Sequence, residues 1–270
     1  MSRSKLFLLK LGGSLITDKS RPYTPRISII DRLSREIKEA GLKEDKLVVG
    51  HGGGSFPHTS ASKYKTHMGF IDENSKKGMA IVHLDALKLN MIIVESLLKT
   101  GLDVYPIHPS SISVAEDSTI KEIFLKTMEA LLEKDIIPVV YGDVGIDVKK
   151  GCCILSTEEI FRSIALHFNE KYKPFIIMCE EVDGVYTDDP FKNPDATLIR
   201  EINRKNYERV KIYLGGSKDV DVTGGMRHKV EKLFELSRLG IESIIINCKK
   251  KNNLKKALKG QKIIGTYIRY

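Results

Sequence analysis

The chain has 270 residues, of which 41% are hydrophobic, 29% charged and 7% aromatic, with a formal net charge of +9. That length carries one large α/β domain or two small ones, and the composition is ordinary for a soluble globular protein. No apolar run approaches the roughly 20 residues needed to cross a bilayer, so no membrane-spanning role is expected.

The positive charge suits anionic small molecules and also nucleic acid. The basic residues are spread widely, however, and no RNA- or DNA-binding motif accompanies them, so no nucleic-acid partner is expected. The densest basic stretch, 249–262, reads as a solvated connection and helix face. The opening Met1-Ser2-Arg3-Ser4-Lys5 runs into a strand-like stretch without signal-peptide architecture, and a cytoplasmic location is expected. Cys152, Cys153, Cys179 and Cys248 form no Cys-x-x-Cys pair, so neither a zinc site nor a redox pair is indicated. Cys153 and Cys179 lie inside apolar runs, where a free thiol behaves as a small hydrophobe.

Residues 6–11 read as a buried strand that ends in Gly12-Gly13-Ser14. Lys10 intrudes on this strand. A buried ammonium needs a partner, either a nearby carboxylate or a phosphate at the strand's carboxyl end, where α/β folds place ligands. Lys19 follows in a loop, and neither lysine belongs to a Walker A sequence. Pro25 with Ile29, Ile30, Leu33 and Ile37 marks an amphipathic helix ending at Gly41. Residues 46–50 are the next strand. It leads into His51-Gly52-Gly53-Gly54-Ser55-Phe56-Pro57-His58 and a segment able to start a helix.

Residues 75–100 read as a long helix stopped by Gly101, and 103–107 as a short strand. A helix is expected over 120–134 and a strand over 136–141. Segments 144–148 and 152–155 flank Lys149-Lys150-Gly151 as a hairpin. Residues 157–168 form a helix with acidic first-turn chemistry in Ser156-Thr157-Glu158-Glu159. A buried strand over 174–179, a glycine turn at Gly215-Gly216-Ser217, a helix from the Asp221–Lys229 region to Gly240, a strand over 243–247 and a closing segment 263–270 complete the chain. Alternating strands and helices imply a mainly parallel sheet between helix layers, a three-layer αβα sandwich. No linker is evident. Two lobes of one continuous fold are expected, divided softly near residue 170.

Strand, glycine loop and helix start present backbone N–H groups to an anion, and glycines let a phosphate touch the main chain. One glycine triplet alone fits a tight turn equally well. Three such turns, accompanied by Lys10, His51, His58 and Lys229, suit a polyphosphate donor beside an anionic acceptor.

With these features the chain resembles the amino acid kinase superfamily and, within it, the isopentenyl phosphate kinases. The resemblance covers nearly the whole chain. It rests on Lys10-Leu11-Gly12-Gly13-Ser14 with Thr17-Asp18-Lys19, on the His51–His58 stretch, on Tyr141-Gly142-Asp143, on Val182-Asp183-Gly184-Val185, and on Asp221-Val222-Thr223-Gly224-Gly225-Met226 with Lys229. His58 is the mark that separates isopentenyl phosphate and fosfomycin kinases from acetylglutamate, aspartate and uridylate kinases.

The resemblance implies Mg²⁺- and ATP-dependent phosphorylation of isopentenyl phosphate, an acceptor-binding lobe over 1–170, an ATP-binding lobe over 171–270, and a homodimer. By the same resemblance, Gly53, His58, Ser156 and Thr157 take the acceptor. Lys10 and Lys19 neutralise the moving phosphoryl group, with His58 orienting the acceptor. Gly12, Gly13, Ser14, Gly54, Glu181, Gly225 and Lys229 join Lys10 in holding ATP, and no side chain is assigned as a metal ligand. Asp143, Glu158 and Asp183 remain alternative candidates for orienting the lysines or for metal-side contacts. Residues on the 75–100 helix, Ala80, Ile81, Leu84, Leu87 and Ile92, are expected to floor an apolar acceptor pocket.

The chain departs from the family pattern in three places. Pro57 stands where a glycine is usual, Thr157-Glu158-Glu159 where Gly-Asp-Asp is common, and Glu180-Glu181 where Thr-Asp is usual. The Thr157 β-carbon is expected to crowd the acceptor phosphate. A kinase for fosfomycin or another small phosphate, and a non-catalytic nucleotide sensor, are the alternative readings.

Overall fold

The structure is a computed structural model that describes residues 3–215 and 225–270. The chain begins with β1 (Lys5–Leu11), a single helical turn α1 (Gly13–Ile16), α2 (Ile27–Ala40), β2 (Lys46–His51), α3 (Pro57–Tyr64) and the long α4 (Ser75–Lys99). Next come β3 (Val104–Pro106), α5 (Pro109–Ile112), β4 (Ser113–Glu116), β5 (Thr119–Ile123), α6 (Lys126–Glu133), β6 (Ile137–Tyr141), β7 (Asp143–Asp147), β8 (Gly151–Leu155) and α7 (Thr157–Phe168). The remainder holds β9 (Lys173–Glu180), β10 (Val185–Tyr186), β11 (Leu198–Ile199), β12 (Glu201–Ile202), α8 (Tyr207–Gly215), α9 (Gly225–Ser237), β13 (Glu242–Asn247), α10 (Asn253–Leu258) and β14 (Gly265–Ile268).

The strand sequences explain the layering. In β1, Leu6 and Leu8 pack into one core while Phe7, Leu9 and Leu11 pack into another on the opposite face. Val48 against Leu47 and Val49 in β2, and Ile176 and Met178 against Ile177 in β9, divide the same way. Strands buried on both faces read as continuous apolar runs rather than alternating ones. The Leu6/Leu8 side is covered by α7 and α9 through Ile160, Phe161, Ile164, Val230, Leu233 and Phe234. The other side is covered by α2, α4 and α10 through Ile30, Leu33, Leu89, Ile93 and Leu254. The result is the expected three-layer αβα sandwich. In α10 the lysines of the basic C-terminal stretch face away from Leu254, Ala257 and Leu258, which are buried.

The central sheet has eight strands in the order β12-β14-β13-β9-β1-β2-β6-β3. From β13 through β3 every neighbouring pair is parallel, and only β13 and β14 pair antiparallel. A second sheet, β5-β4-β7-β8, contains the expected hairpin of β7 and β8. Among the described residues no helix is long and apolar enough to cross a membrane.

Two expectations are corrected. Residues 119–123 are strand β5, not the first turns of a helix, and α6 begins only at Lys126. β5 pairs antiparallel with β4 across Asp117-Ser118, both with positive φ (50° and 64°). A two-residue turn of that kind normally announces itself with glycine or asparagine. Here the Asp147 carboxylate instead accepts from the N–H groups of both turn residues. Cys179 is not a free thiol, since it is disulfide-bonded to Cys248, while Cys152 and Cys153 are free and buried. The partners lie 69 residues apart in sequence and become neighbours only because β9 and β13 pair in parallel.

Candidate functional site

The carboxyl ends of β1, β2, β6 and β9 lie side by side at one edge of the sheet, joined through the main chain. Gly12 N–H donates to the Cys179 carbonyl (2.8 Å), Gly52 N–H to Leu11 (3.0 Å) and Gly142 N–H to His51 (2.9 Å). The loops after β1 and β2 then pack backbone against backbone. A β-carbon on Gly13 would lie 2.6 Å from the Gly54 nitrogen. Gly54 adopts φ +54°, and a β-carbon there would collide with the Thr17 hydroxyl. That hydroxyl donates to the Gly13 carbonyl (2.7 Å) and accepts from Ser55 N–H (2.9 Å), locking the two loops together.

A cavity opens over this edge. It brings together ten of the residues expected from sequence: Lys10, Gly13, Ser14, Lys19, Gly53, Gly54, His58, Ser156, Thr157 and Lys229. Three others do not line it. Gly12 sits behind, bonded to Cys179. Gly225 starts α9 in the left-handed region, and among the described residues nothing lies within 4 Å of where its β-carbon would stand. Glu181 bridges Arg26 and Lys249, each at 2.7 Å. Of the candidate orienting carboxylates, Asp143 and Glu158 line the cavity, and Asp183 pairs with Lys250 outside it. Residues 216–224, including the Asp221–Gly224 part of the last motif, lie outside the described residues.

Lys10 is on the Leu6/Leu8 face of β1, so its partner comes from the helix layer covering that face. It is an ion pair with Glu158 in the first turn of α7. Across the cavity Lys229 pairs with Glu180 at 2.8 Å. Burial alone would raise the Glu158 carboxyl. The charges of Lys10 and Lys229, together with the hydrogen bond from Lys10, override that and hold it well below the usual carboxylate range. Two lysines and two carboxylates, drawn from β1, α7, α9 and β9, thus form one charge network at the polar end.

Ser156 caps α7 by accepting from Glu159 N–H. Thr157 is buried, its hydroxyl donates to the His51 carbonyl (2.7 Å), and the residue still forms part of the cavity lining. Pro57 occupies the first turn of α3, where a helix has no use for the missing N–H, and its ring lies against Gly53. His58 follows at the cavity wall. His51 is buried beneath the loop, with Nδ1 3.1 Å from the Gly52 carbonyl and Nε2 3.2 Å from Asn90. Burial pushes its pKa down to about 4 against those hydrogen bonds, so it is a neutral support for the glycine loop.

The other end of the cavity is apolar, lined by Ala61 of α3, Val82 of α4 and Ile154 of β8. The helix expected to floor it is α4, but the residues expected there do not. Leu84 is exposed, Ile92 packs against the core on the α2 side, and Ala80, Ile81 and Leu87 are absent from the lining. Val82 is in phase with the buried Ala86, Leu89 and Ile93, so the inward face of α4 supplies both core and cavity wall. Ala61 and Ile154 carry no chemical signature that sequence alone could have assigned to a site, whereas Gly142 belongs to the Tyr141-Gly142-Asp143 motif.

The amino acid kinase family model matches residues 5–247. An isopentenyl phosphate kinase of Methanocaldococcus jannaschii is 34% identical over 273 residues, covering 97% of this chain and 98% of its own. One from Methanothermobacter thermautotrophicus is 33% identical over 272 residues, covering 97% of this chain and 98% of its own. Among solved structures, one of an isopentenyl phosphate kinase superposes with a TM-score of 0.83 at 29% identity, covering 97% of this chain and 99% of the other.

Proposed function

The chain belongs to the amino acid kinase family, and from that premise we propose that it transfers the γ-phosphate of ATP to isopentenyl phosphate, giving isopentenyl diphosphate and ADP. One observation carries the reading for this chain. A single cavity joins a glycine- and lysine-lined end, fit for phosphates, to a small apolar end of Ala61, Val82 and Ile154, fit for a short apolar tail.

The acceptor is a phosphate monoester with a second pKa of about 6, so it is mostly dianionic at neutral pH and needs no strong base. The chemical problem is bringing two polyanions together. Backbone N–H groups of the paired glycine loops and the charges of Lys10, Lys19 and Lys229 answer it by positioning and electrostatic stabilisation. Glu158 and Glu180 keep Lys10 and Lys229 in place. His58 donates a hydrogen bond to the acceptor phosphate and orients it. Residues 1–170 supply most of the acceptor side and 171–270 the ATP side, with Gly225 at the entry of α9 and Glu181 behind Glu180.

Among the described residues no three metal-ligating side chains cluster together. Of the carboxylates lining the cavity, Glu158 and Glu180 pair with lysines and Asp143 with His83. Mg²⁺ would enter with ATP as its phosphate complex. A homodimeric, cytoplasmic enzyme completes the reading, and sedimentation of the purified chain checks the first of these.

The deciding experiment is a coupled ADP-release assay with Mg²⁺-ATP and, in turn, isopentenyl phosphate, dimethylallyl phosphate, geranyl phosphate and fosfomycin. The highest kcat/KM is expected with isopentenyl phosphate. Turnover confined to another acceptor, or none with any, would refute the proposal.

A further inference from the structure

Lys19 reaches the cavity from a closed loop between α1 and α2. The loop's base is a bridge between Thr17 and Pro25, and Asp18 N–H donates to the Thr24 carbonyl at 2.9 Å. The Asp18 carboxylate folds the tip by accepting from Ser20 N–H (3.0 Å) and Ser20 Oγ (2.7 Å). Such a loop is internally well bonded, but its own bonds do not fix its tilt over the cavity.

The tilt is set where the loop docks, and Tyr23 does most of the docking. Its N–H donates to the Ser55 carbonyl (3.1 Å), and the next residue's N–H donates to Ser55 Oγ (3.1 Å). Its ring meets Phe56 edge to face at 5.8 Å. Its hydroxyl donates to Asp85 Oδ2 at 2.9 Å, and Asp85 is a buried carboxylate on α4, one turn beyond Val82. Lys88 holds the other Asp85 oxygen at 3.0 Å. Tyr23 thus touches the Lys19 loop, the glycine loop and the acceptor helix at once, yet it does not itself line the cavity.

Tyr23 also has φ +53°, a backbone region that residues with a β-carbon seldom occupy. A tyrosine kept there is held by its surroundings, and such residues cluster where geometry matters for function. Partial burial and the Asp85 carboxylate both raise its hydroxyl pKa, so it stays a donor across the working pH range.

We infer that Tyr23 is a positioning residue: its clasp on Ser55, Phe56 and Asp85 fixes Lys19 over the phosphoryl-transfer site. The inference rests on the proposed kinase function for its kinetic consequence, and on geometry alone for the clasp.

Two variants test it. Tyr23→Phe removes only the hydroxyl, and Tyr23→Gly removes the side chain while accepting the left-handed backbone. With isopentenyl phosphate and Mg²⁺-ATP, kcat should fall about tenfold for Tyr23→Phe and about a hundredfold for Tyr23→Gly, with KM for the acceptor changed less than kcat. Hydrogen exchange of the amides in 17–24 should quicken in both variants. In a Lys19→Ala background, Tyr23→Phe should cost almost nothing more, because the clasp acts through Lys19. Unchanged kcat, unchanged exchange, or an equal further loss without Lys19 would each overturn the inference. If the wild type turns over no isopentenyl phosphate, the function fails instead, and unchanged exchange would still refute the clasp.

Discussion

Two regions of the site handle phosphate by opposite means. At the loops after β1 and β2, the side chains are missing. Gly13 and Gly54 pack main chain on main chain, and a phosphate there would meet N–H dipoles rather than ions. At the ends of β1, β9, α7 and α9, charges are present and already paired, Lys10 with Glu158 and Lys229 with Glu180. The first region depends on shape and is sensitive to any added atom. The second depends on charge, and would register a neutral substitution of unchanged shape. Placing both at one sheet edge lets a polyanion exchange water for fixed dipoles and lysines without leaving any lysine unpaired beforehand.

The largest effect expected is from Lys10→Met, which keeps the length of the side chain and removes its charge. Lys10 is 6% exposed, and without it Glu158 faces only Lys229. Breaking a buried pair of this kind costs about 3–5 kcal/mol of stability. The loss of a preorganised cation should lower kcat about a thousandfold. Denaturant melts and single-turnover kinetics measure the two effects separately. A Lys10→Met protein with normal kcat would remove the charge network from the mechanism.

Gly54→Ala is the matching test of the glycine region. The new methyl would meet Thr17, and φ +54° would strain alanine even in open space. Activity should fall about a hundredfold as the two loops separate. Thr17→Ser should leave the collision in place, because the hydroxyl remains. Raising salt should weaken catalysis in the wild type through the lysine region, and Gly54→Ala should retain that salt dependence. If the variant instead lost its salt dependence, the two regions would not be separable.

How much of this was legible in the sequence follows the same division. Continuous apolar strands, helix stops at Gly41 and Gly101, and the lysines and glycines at strand ends all announced themselves through short-range chemistry. Thr157–Phe168 is bounded in the structure as its capping residues imply. What stayed hidden depends on partners distant in the chain. The Asp117-Ser118 turn is stabilised by Asp147. Cys179 and Cys248 meet only through strand pairing. The role of Thr157 is set by the His51 carbonyl, 106 residues away in sequence. The sequence marks 75–100 as a long helix beside the acceptor pocket but does not show which part of its inward face opens on the cavity, and Val82 rather than Leu84 supplies the wall.

Asp143 gives the smallest effect and the finest test, because it is the cavity carboxylate whose partner is an imidazole. It is buried at the start of β7, with His83 Nδ1 at 2.9 Å and Val144 N–H at 2.8 Å; Ser110 also adjoins His83, and the His108 ring stands edge-on to it at 6.2 Å. The hydrogen bond to Asp143, opposed by partial burial, raises the His83 pKa above its ordinary value. A group whose pKa is higher folded than unfolded contributes its full stability below the unfolded value, about 6.5, and loses it as pH rises through the folded value. The His83 side chain is partly exposed, which limits the contribution to under about 1 kcal/mol. Melting temperatures of wild type and His83→Gln should therefore differ most at pH 5–6 and converge as pH rises. The KM for isopentenyl phosphate should climb over the same range in the wild type, as Asp143 loses its positive partner beside the acceptor dianion, and should stay flatter in His83→Gln. A stability difference that grew with pH would show that His83 is held neutral and that the polar end of the cavity carries no titrating member.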